Sequence, residues 1–275
     1  MSNDTKGSRA VAIGYGALVN QNFTSSTDNY NIGVGFNAGE QITTGTHNTF
    51  MGGKAGDAIT TSNSNTAVGY QALSAETSSN GNVAIGEGAL KVQNVGGSGD
   101  ARNTAVGLLA GAGITTGERN VFIGGLAGQS ATSVDDVVCV GHRTGGGAVM
   151  TGHDNILLGT DAAYNLTSGA RNVILGKDAA AAGTVLTTGT DNIMMGFQVR
   201  ANSGGLTNAI VLGDSVTAQG NNEFTFGNGS TDSNIVFGAT SINAPSDERY
   251  KEEIATSTAG LSFVNDLRPV TFKWK

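Results

Sequence analysis

The chain repeats a short pattern of polar and apolar positions along most of its length. An asparagine is followed by three mostly apolar residues, a glycine, two variable residues and a small residue. The glycines that anchor the pattern lie mostly 17 residues apart, and otherwise 18, 20 or 21 apart: Gly14, Gly35, Gly52, Gly69, Gly86, Gly107, Gly124, Gly141, Gly159, Gly176, Gly196 and Gly213. This period predicts short strands and tight turns stacked into a β-solenoid, because one such coil cannot bury its own core.

The apolar triplet before each glycine predicts burial on two faces. Neighbouring side chains of a strand point to opposite faces, so three consecutive apolar residues need cover on both sides. One face can fill the solenoid interior, and identical copies packed about a three-fold axis would cover the other face and protect the sheet edges. The sequence therefore predicts an all-β fold, namely a homotrimeric shaft that is a parallel β-solenoid or β-roll of about 17-residue coils. A short α+β segment is predicted at its C-terminus.

The recurring polar and small positions have structural explanations. Glycine suits a sharp corner with positive φ or a close backbone approach. Asparagine suits a ladder of stacked amides, each bonding to the next coil. Ten asparagines stand four positions before a glycine: Asn31, Asn48, Asn65, Asn82, Asn103, Asn120, Asn155, Asn172, Asn192 and Asn234. The structural repeat residues are represented by five coils: Asn48 and Gly52, Asn65 and Gly69, Asn82 and Gly86, Asn120 and Gly124, Asn172 and Gly176.

The repeat stops near residue 241, and Pro245 marks the break. The residues that follow are richer in charge and in large apolar side chains. Residues 257–267 have the spacing of a short amphipathic helix, and residues 270–274 alternate like a strand. The sequence therefore divides into an N-terminal lead-in at 1–8, a repetitive shaft at 9–240 and a C-terminal segment at 241–275.

Composition and charge exclude several classes of protein. With 43 glycines but two prolines, and no glycine at every third position, the chain is not collagen. A net charge of −7 without a basic stripe argues against nucleic-acid binding, and no apolar run approaches the roughly 20 residues of a membrane helix. The N-terminal residues lack a signal-peptide pattern, which predicts folding in the cytoplasm. The single cysteine, Cys139, excludes an intrachain disulfide and is expected to be a small buried side chain.

Few residues suggest chemistry within the shaft. His47, His142 and His153 lie in polar turns, so we expect solvent-exposed residues and neither a metal site nor a cofactor, although a three-fold axis would gather three copies of each. Asp161 and Asp178 occupy equivalent positions in successive coils and would stack about 4.8 Å apart. They would form an acidic ladder at the surface, or the paired carboxylates of a glycan hydrolase.

Aromatic residues follow several of the glycines. They would fill grooves between protomers, or form an outer face on which sugars stack; the residues are Tyr15, Phe36, Tyr70 and Phe197.

The shaft resembles a known family of repeats. The run from Asn65 to Ala72 and the run from Asn82 to Ala89 are similar to the head repeats of trimeric autotransporter adhesins, a style of repeat that also occurs in phage tail fibres. The resemblance covers residues 9–240 and implies a left-handed parallel β-roll wound into a tight trimer. The period here is longer than the usual head repeat, which leaves coil shape and handedness open.

The C-terminal segment resembles a second family. The run Ser246 to Lys251, followed by Ile254, is similar to the entry of the intramolecular chaperone domain of phage endosialidases and tail fibres. That family's domain trimerises the fibre and then cuts itself off before the serine. The resemblance implies that Ser246 is the nucleophile and Lys251 the general base for cleavage of the Pro245–Ser246 bond. The segment would be a truncated start of that domain, in which the dyad is inactive. Alternatively, Ser246 and Asp247 simply cap a turn after the proline.

These features predict a structural and host-recognition protein of a phage tail fibre, a trimeric shaft that presents a receptor-binding surface. Its expected partners are two further copies of itself, other tail proteins, and a host cell-surface glycan or outer-membrane protein. It would be assembled in the host cytoplasm and carried on the virion. The alternatives are a trimeric bacterial adhesin head and a fibre-borne polysaccharide depolymerase. Ice binding by rows of threonines is disfavoured because the threonines lie in loops of variable length.

Overall fold

A computed structural model describes residues 4–97 and 99–239. Strands of two to five residues alternate with tight turns throughout this part of the chain. The strands are β1 (Gly7–Ser8), β2 (Val11–Ile13), β3 (Thr27–Asp28), β4 (Ile32–Val34), β5 (Thr49–Met51), β6 (Thr66–Val68), β7 (Val83–Ile85), β8 (Thr104–Val106), β9 (Val121–Ile123), β10 (Val138–Val140), β11 (Ile156–Leu158), β12 (Val173–Leu175), β13 (Ile193–Met195), β14 (Ile210–Gly213), β15 (Glu223–Gly227) and β16 (Ser233–Val236).

The coils stack through one long sheet. Strands β2 and β4 to β15 pair in chain order, each parallel to the next. The register never slips: the residue before each anchoring glycine pairs with its equivalent one coil further on, as Val68 does with Ile85. This confirms the predicted all-β parallel β-solenoid with coils of about 17 residues, and the described residues contain no helix.

The corners on either side of the sheet are built from left-handed backbone. The residue before the recurring asparagine has φ between 52° and 73° in every coil, as in His47 (61°) and Arg119 (59°). Most of these residues are not glycine. From His47 to Asn208, each donates its backbone N–H to a carbonyl of the preceding coil, as His47 does to Asn29 at 2.7 Å. That bond offsets the roughly 1 kcal/mol or more that a residue with a Cβ atom loses in this conformation.

The core consists of inward-pointing side chains stacked from coil to coil, and their sizes compensate one another. The central residue of a strand is fully buried, whether it is the large Phe122 or the small Ala84. A Cβ atom on either Gly111 or Gly128 would overlap the ring of Phe122. The corresponding position beside Ala84 is Leu90, which is fully buried with φ of 49°. A large strand centre is therefore matched by small corner residues, and a small one by leucine.

The C-terminal end of the solenoid is closed by a hairpin. β15 continues the parallel sheet, with Gly213 paired to Gly227, but β16 runs antiparallel to β15. Asn234 lies in β16 and donates to the carboxylate of Glu223 at 2.8 Å. The expectation that Asn234 continues the asparagine repeat is wrong, because the strand direction has reversed there. The predicted helix at 257–267 and strand at 270–274 lie outside the described residues.

Candidate functional site

The asparagines form a ladder of amides inside the solenoid. The backbone N–H of Asn65 donates to Oδ1 of Asn48 at 3.0 Å, and its Nδ2 donates to the same atom at 3.3 Å and to the Ser79 carbonyl at 3.1 Å. Asn82 repeats the arrangement on Asn65. Val137 interrupts the ladder, yet its N–H still donates to Asn120 at 3.0 Å. Because these amides are fully buried and satisfied within the chain, they hold coils together and offer nothing to a ligand.

The recurring glycines lie where the backbones of successive coils approach each other. Gly69 has φ of 132°, and a Cβ atom there would lie 2.6 Å from the carbonyl carbon and oxygen of Gly86. The same close approach recurs from Gly14 to Gly213, each glycine facing its equivalent in the next coil. The column of glycines therefore serves packing.

One face of the sheet is apolar and uncovered in the single chain. Of the twenty large apolar side chains that are exposed in the described residues, fifteen lie on this face, at the first or third strand position or just after the glycine. They are Val11, Ile13, Tyr15, Ile32, Phe36, Met51, Tyr70, Ile85, Leu108, Ile123, Ile156, Ile193, Met195, Phe197 and Leu212. Soluble monomers rarely expose a contiguous apolar patch larger than a few hundred Å², so such a face marks an interaction site. We call it the sheet face.

The aromatic residues after the glycines lie along one border of the sheet face. The rings of Tyr15 and Phe36 stack with centroids 5.6 Å apart, and Lys177 lies over the ring of Phe197 at 6.0 Å. The rings are about half exposed or more. Their position beside the apolar strands suits both uses predicted from sequence, packing against another protomer and stacking on sugars.

The opposite border of the sheet face is charged, and its ion pairs connect successive coils. Arg119 forms a two-pronged pair with Asp136 at 2.8 and 3.0 Å, and Arg171 forms one with Asp191 at 2.7 and 2.9 Å. These hydrogen bonds and the attraction of the arginine hold the pKa of Asp136 and the pKa of Asp191 below their usual range. Exposed pairs of this kind contribute little to the free energy of unfolding.

The two stacked aspartates are both engaged in ion pairs. Asp161 accepts a hydrogen bond from Nε of Arg143 at 2.7 Å, and Asp178 lies 3.9 Å from the ammonium of Lys177. A glycan hydrolase needs one carboxyl held protonated as the general acid beside a second, ionised one. Both carboxylates already bind cations of their own chain, which favours structural ion pairs over a catalytic pair.

The remaining reactive residues are occupied or buried. His47 stacks on Tyr30 at 5.4 Å, and Nδ1 of His153 accepts the Asp135 N–H at 2.9 Å. His142 is exposed. The described part of the chain contains no cluster of three or more potential metal ligands. Cys139 is a fully buried strand centre, and burial raises the pKa of its thiol far above the usual range.

A buried carboxylate was missed by the sequence reasoning. Glu76 is fully buried and accepts the backbone N–H groups of Thr77, Ser78 and Ser79 at 2.8–2.9 Å, while Gln93 donates to its second oxygen at 3.0 Å. Burial raises the pKa of Glu76, but the hydrogen bonds, led by those from Ser79, outweigh burial and leave the pKa below its ordinary value. The only signal in the sequence is that Glu76 and Gln93 stand where neighbouring coils carry isoleucine.

The lowered pKa of Glu76 predicts a loss of stability in acid. The stabilisation is fully present above the unfolded glutamate pKa of about 4.3 and is lost as the pH falls through the lower folded value. We expect Glu76→Gln to destabilise the coils around Gly86 at pH 7 and the difference from the natural chain to shrink below about pH 4. Hydrogen exchange against pH measures this. Glu87→Gln, at an exposed carboxylate, is the control, and a difference that does not vary with pH would contradict the assignment.

The threonines of the turns are aligned from coil to coil, contrary to expectation. The hydroxyl of Thr43 donates to the carbonyl of Thr60 at 3.1 Å, and that of Thr60 to the carbonyl of Thr77 at 3.0 Å. The longer coils insert their extra residues elsewhere, so the column keeps its register: Asn94 donates its backbone N–H to Thr115. These hydroxyl protons are used within the solenoid, so the column contributes to coil stacking.

The comparisons with known proteins bear on the C-terminus. Residues 246–275 match the family described as chaperone of endosialidase. This confirms the resemblance drawn from the run Ser246 to Lys251, although the match spans a small part of the chain. No curated protein and no solved structure matches the chain. Ser246 and Lys251 lie outside the described residues, and among the described residues no helix has the length and apolarity needed to cross a membrane.

Proposed function

We propose that this chain is the homotrimeric shaft of a fibre of the phage tail-fibre type, which presents a surface for recognition of the host. The observation that carries the proposal is the sheet face, which runs from β2 to β14 and has an apolar residue at the third position of every strand. Covering it would bury one aliphatic or aromatic side chain or more per coil. Each such burial is favourable by roughly 1.5–3 kcal/mol for a fully covered side chain, so identical copies would associate tightly.

The chaperone-of-endosialidase match supports three copies. It begins at residue 246, ten residues after Val236, where the hairpin that closes the solenoid ends. In the family that this segment resembles, the domain trimerises the fibre to which it is attached. A trimerising segment next to the end of the shaft would align three chains before their sheet faces meet.

The proposed setting follows from the same features. The trimer would be assembled in the host cytoplasm, attach to other tail proteins and be carried on the virion. Its receptor would be a host cell-surface glycan or an outer-membrane protein. Binding of the purified protein to host cells, followed by size analysis of their surface polysaccharide, tests this. Binding without shortening of the glycan is expected, whereas shortening would favour the depolymerase.

A single self-cleavage is proposed for a parent chain that carries the whole chaperone domain. There Ser246 would attack the Pro245 carbonyl carbon after giving its hydroxyl proton to Lys251, forming an ester, and the new amine at residue 246 would leave with a proton. Water would then hydrolyse the ester, restoring the serine. Intact mass of the parent should show cleavage before residue 246, and Ser246→Ala should abolish it. Cleavage that persists in Ser246→Ala would contradict the assigned dyad.

The trimer is tested by changing the sheet face without touching the core. The natural chain should have three times the 27.7 kDa of one chain in solution, measured by light scattering. Ile123→Asp places three carboxylates near the three-fold axis, and we expect dissociation to monomers that keep their β circular dichroism. Thr116→Asp adds the same charge to an exposed turn nearby in the chain and should leave the trimer intact. A monodisperse monomer of the natural chain would overturn the proposal.

A further inference from the structure

The two borders of the sheet face are unlike each other. The leading border consists of the residues that precede the recurring asparagine position in each coil: Arg9, Tyr30, His47, Ser64, Gly81, Arg102, Arg119, Asp136, Asp154, Arg171, Asp191 and Asn208. The trailing border consists of the residues that follow the anchoring glycine in each coil: Tyr15, Phe36, Gly53, Tyr70, Glu87, Leu108, Gly125, His142, Thr160, Lys177, Phe197 and Asp214. Both lie at corners of the coil, and most of their side chains are exposed.

The borders complement each other in size in the coils of β5, β6, β7 and β9, whereas both border residues are large beside β2, β4, β8 and β12. Beside β5 the leading residue is His47 and the trailing residue is Gly53. Beside β6 the order is reversed, with Ser64 leading and Tyr70 trailing. The same pairing of a small with a large residue occurs beside β7, with Gly81 and Glu87, and beside β9, with Arg119 and Gly125.

The charges of the borders do not prevent a contact. Beside β10 the leading residue is Asp136, already paired with Arg119 of its own chain, and the trailing residue is His142. Beside β12 the two residues are the cations Arg171 and Lys177. Each already has a carboxylate partner in its own chain, at 2.7 Å for Arg171 and 3.9 Å for Lys177, so their mutual repulsion is moderated.

Three-fold symmetry would bring the two unlike borders of neighbouring copies into contact. A rotation about an axis parallel to the stack of coils keeps every coil at its own height and brings the leading border of one copy against the trailing border of the next. The sheet face spans five or six residue steps of about 3.3 Å, so it is roughly 15–20 Å wide. Three such faces arranged as a triangle would each lie roughly 5 Å from the three-fold axis, which is about the reach of an aliphatic side chain. The borders then meet at the corners of the triangle.

We infer that each coil packs against the same coil of two sister chains. The leading border of one copy contacts the trailing border of the next copy. The inference rests on the proposed trimer and adds the register and the pairing of borders. In the coils of β5, β6, β7 and β9 the large residue of one copy, such as Tyr70, covers the small residue of its neighbour, here Ser64. Tyr70 thus fills a groove between protomers.

Paired cysteines test the register. Ser64→Cys with Tyr70→Cys places two exposed thiols in one coil but on opposite borders, so mild oxidation should link three chains into a covalent trimer on a denaturing gel. The offset pair Ser64→Cys with Leu108→Cys, two coils apart, and each single variant should give no closed trimer. Cys139 is buried and present in every variant, and the natural chain shows whether it contributes.

The outcomes separate the register from the proposed function. Covalent trimers from the Ser64 and Tyr70 pair alone support the inference. A trimeric mass in solution with cross-linking only in the offset pair, or in neither pair, overturns the register but leaves the trimer. Covalent dimers that do not extend to trimers show two-fold pairing and overturn the three-fold contact. A monomeric mass overturns the trimer itself.

Discussion

Replacing Phe122 with alanine is expected to lower the free energy of unfolding of the central coils by about 3–5 kcal/mol. The ring is fully buried as the centre of β9, between Gly111 and Gly128 of the adjoining corners. Neither glycine has a side chain that can move into the space, so a cavity remains. Because solenoids do not unfold as one two-state unit, hydrogen exchange of the amides in β8 to β10 is the measurement.

Size compensation predicts a rescue of this variant. Gly128→Leu alone should also destabilise the coil, since its side chain would overlap the ring of Phe122. The double variant should lose about 2 kcal/mol less free energy of unfolding than the sum of the two single losses, which is within the range seen for residues in contact. Leu73 and Leu90 occupy the equivalent corner with φ of 53° and 49°, so the backbone there accepts leucine. Additive losses would contradict the compensation.

Gly69→Ala is the second substitution with a large expected effect, about 3 kcal/mol or more, because it combines backbone strain with overpacking. With φ of 132° and only 2.6 Å between the added Cβ atom and the backbone of Gly86, the two coils must separate. Gln71→Ala is the control, because Gln71 has φ of 55° and already carries a Cβ atom. Hydrogen exchange of β6 and β7 should change for the first variant and hardly for the second. Equal effects would show that the glycine column is not needed for coil contact.

Much of the fold was predictable because its signals are short and repeated. The apolar triplet, the glycine and the asparagine each recur at one period, so the coil length and the strand positions follow from counting along the chain. The hydrogen bonds of Asn65 and the positive φ of Gly69 are of the kind proposed for those residue types. The antiparallel β16 was not foreseen, since Asn234 and Gly238 imitate the repeat without continuing it.

The candidate site was only partly predictable. The sequence indicated that one side of the strands needs cover, and the exposed sheet face agrees with that. It did not indicate that Asp161 is held by Arg143, because stacking of the coils brings that arginine to it from the preceding coil. It also missed Glu76, whose stabilising backbone N–H groups exist only once the turn has formed.

The sequence by itself determined the period, the strand positions, and the need to cover a second apolar face, because these depend on residue type and spacing alone. The tertiary structure decided which residues occupy left-handed corners, as His47 does, and which side chains share the interior, as Phe122 does with Gly111 and Gly128. The physical reason is that winding brings residues about one coil apart into contact. Their sizes and hydrogen bonds can match only after the backbone has placed them together.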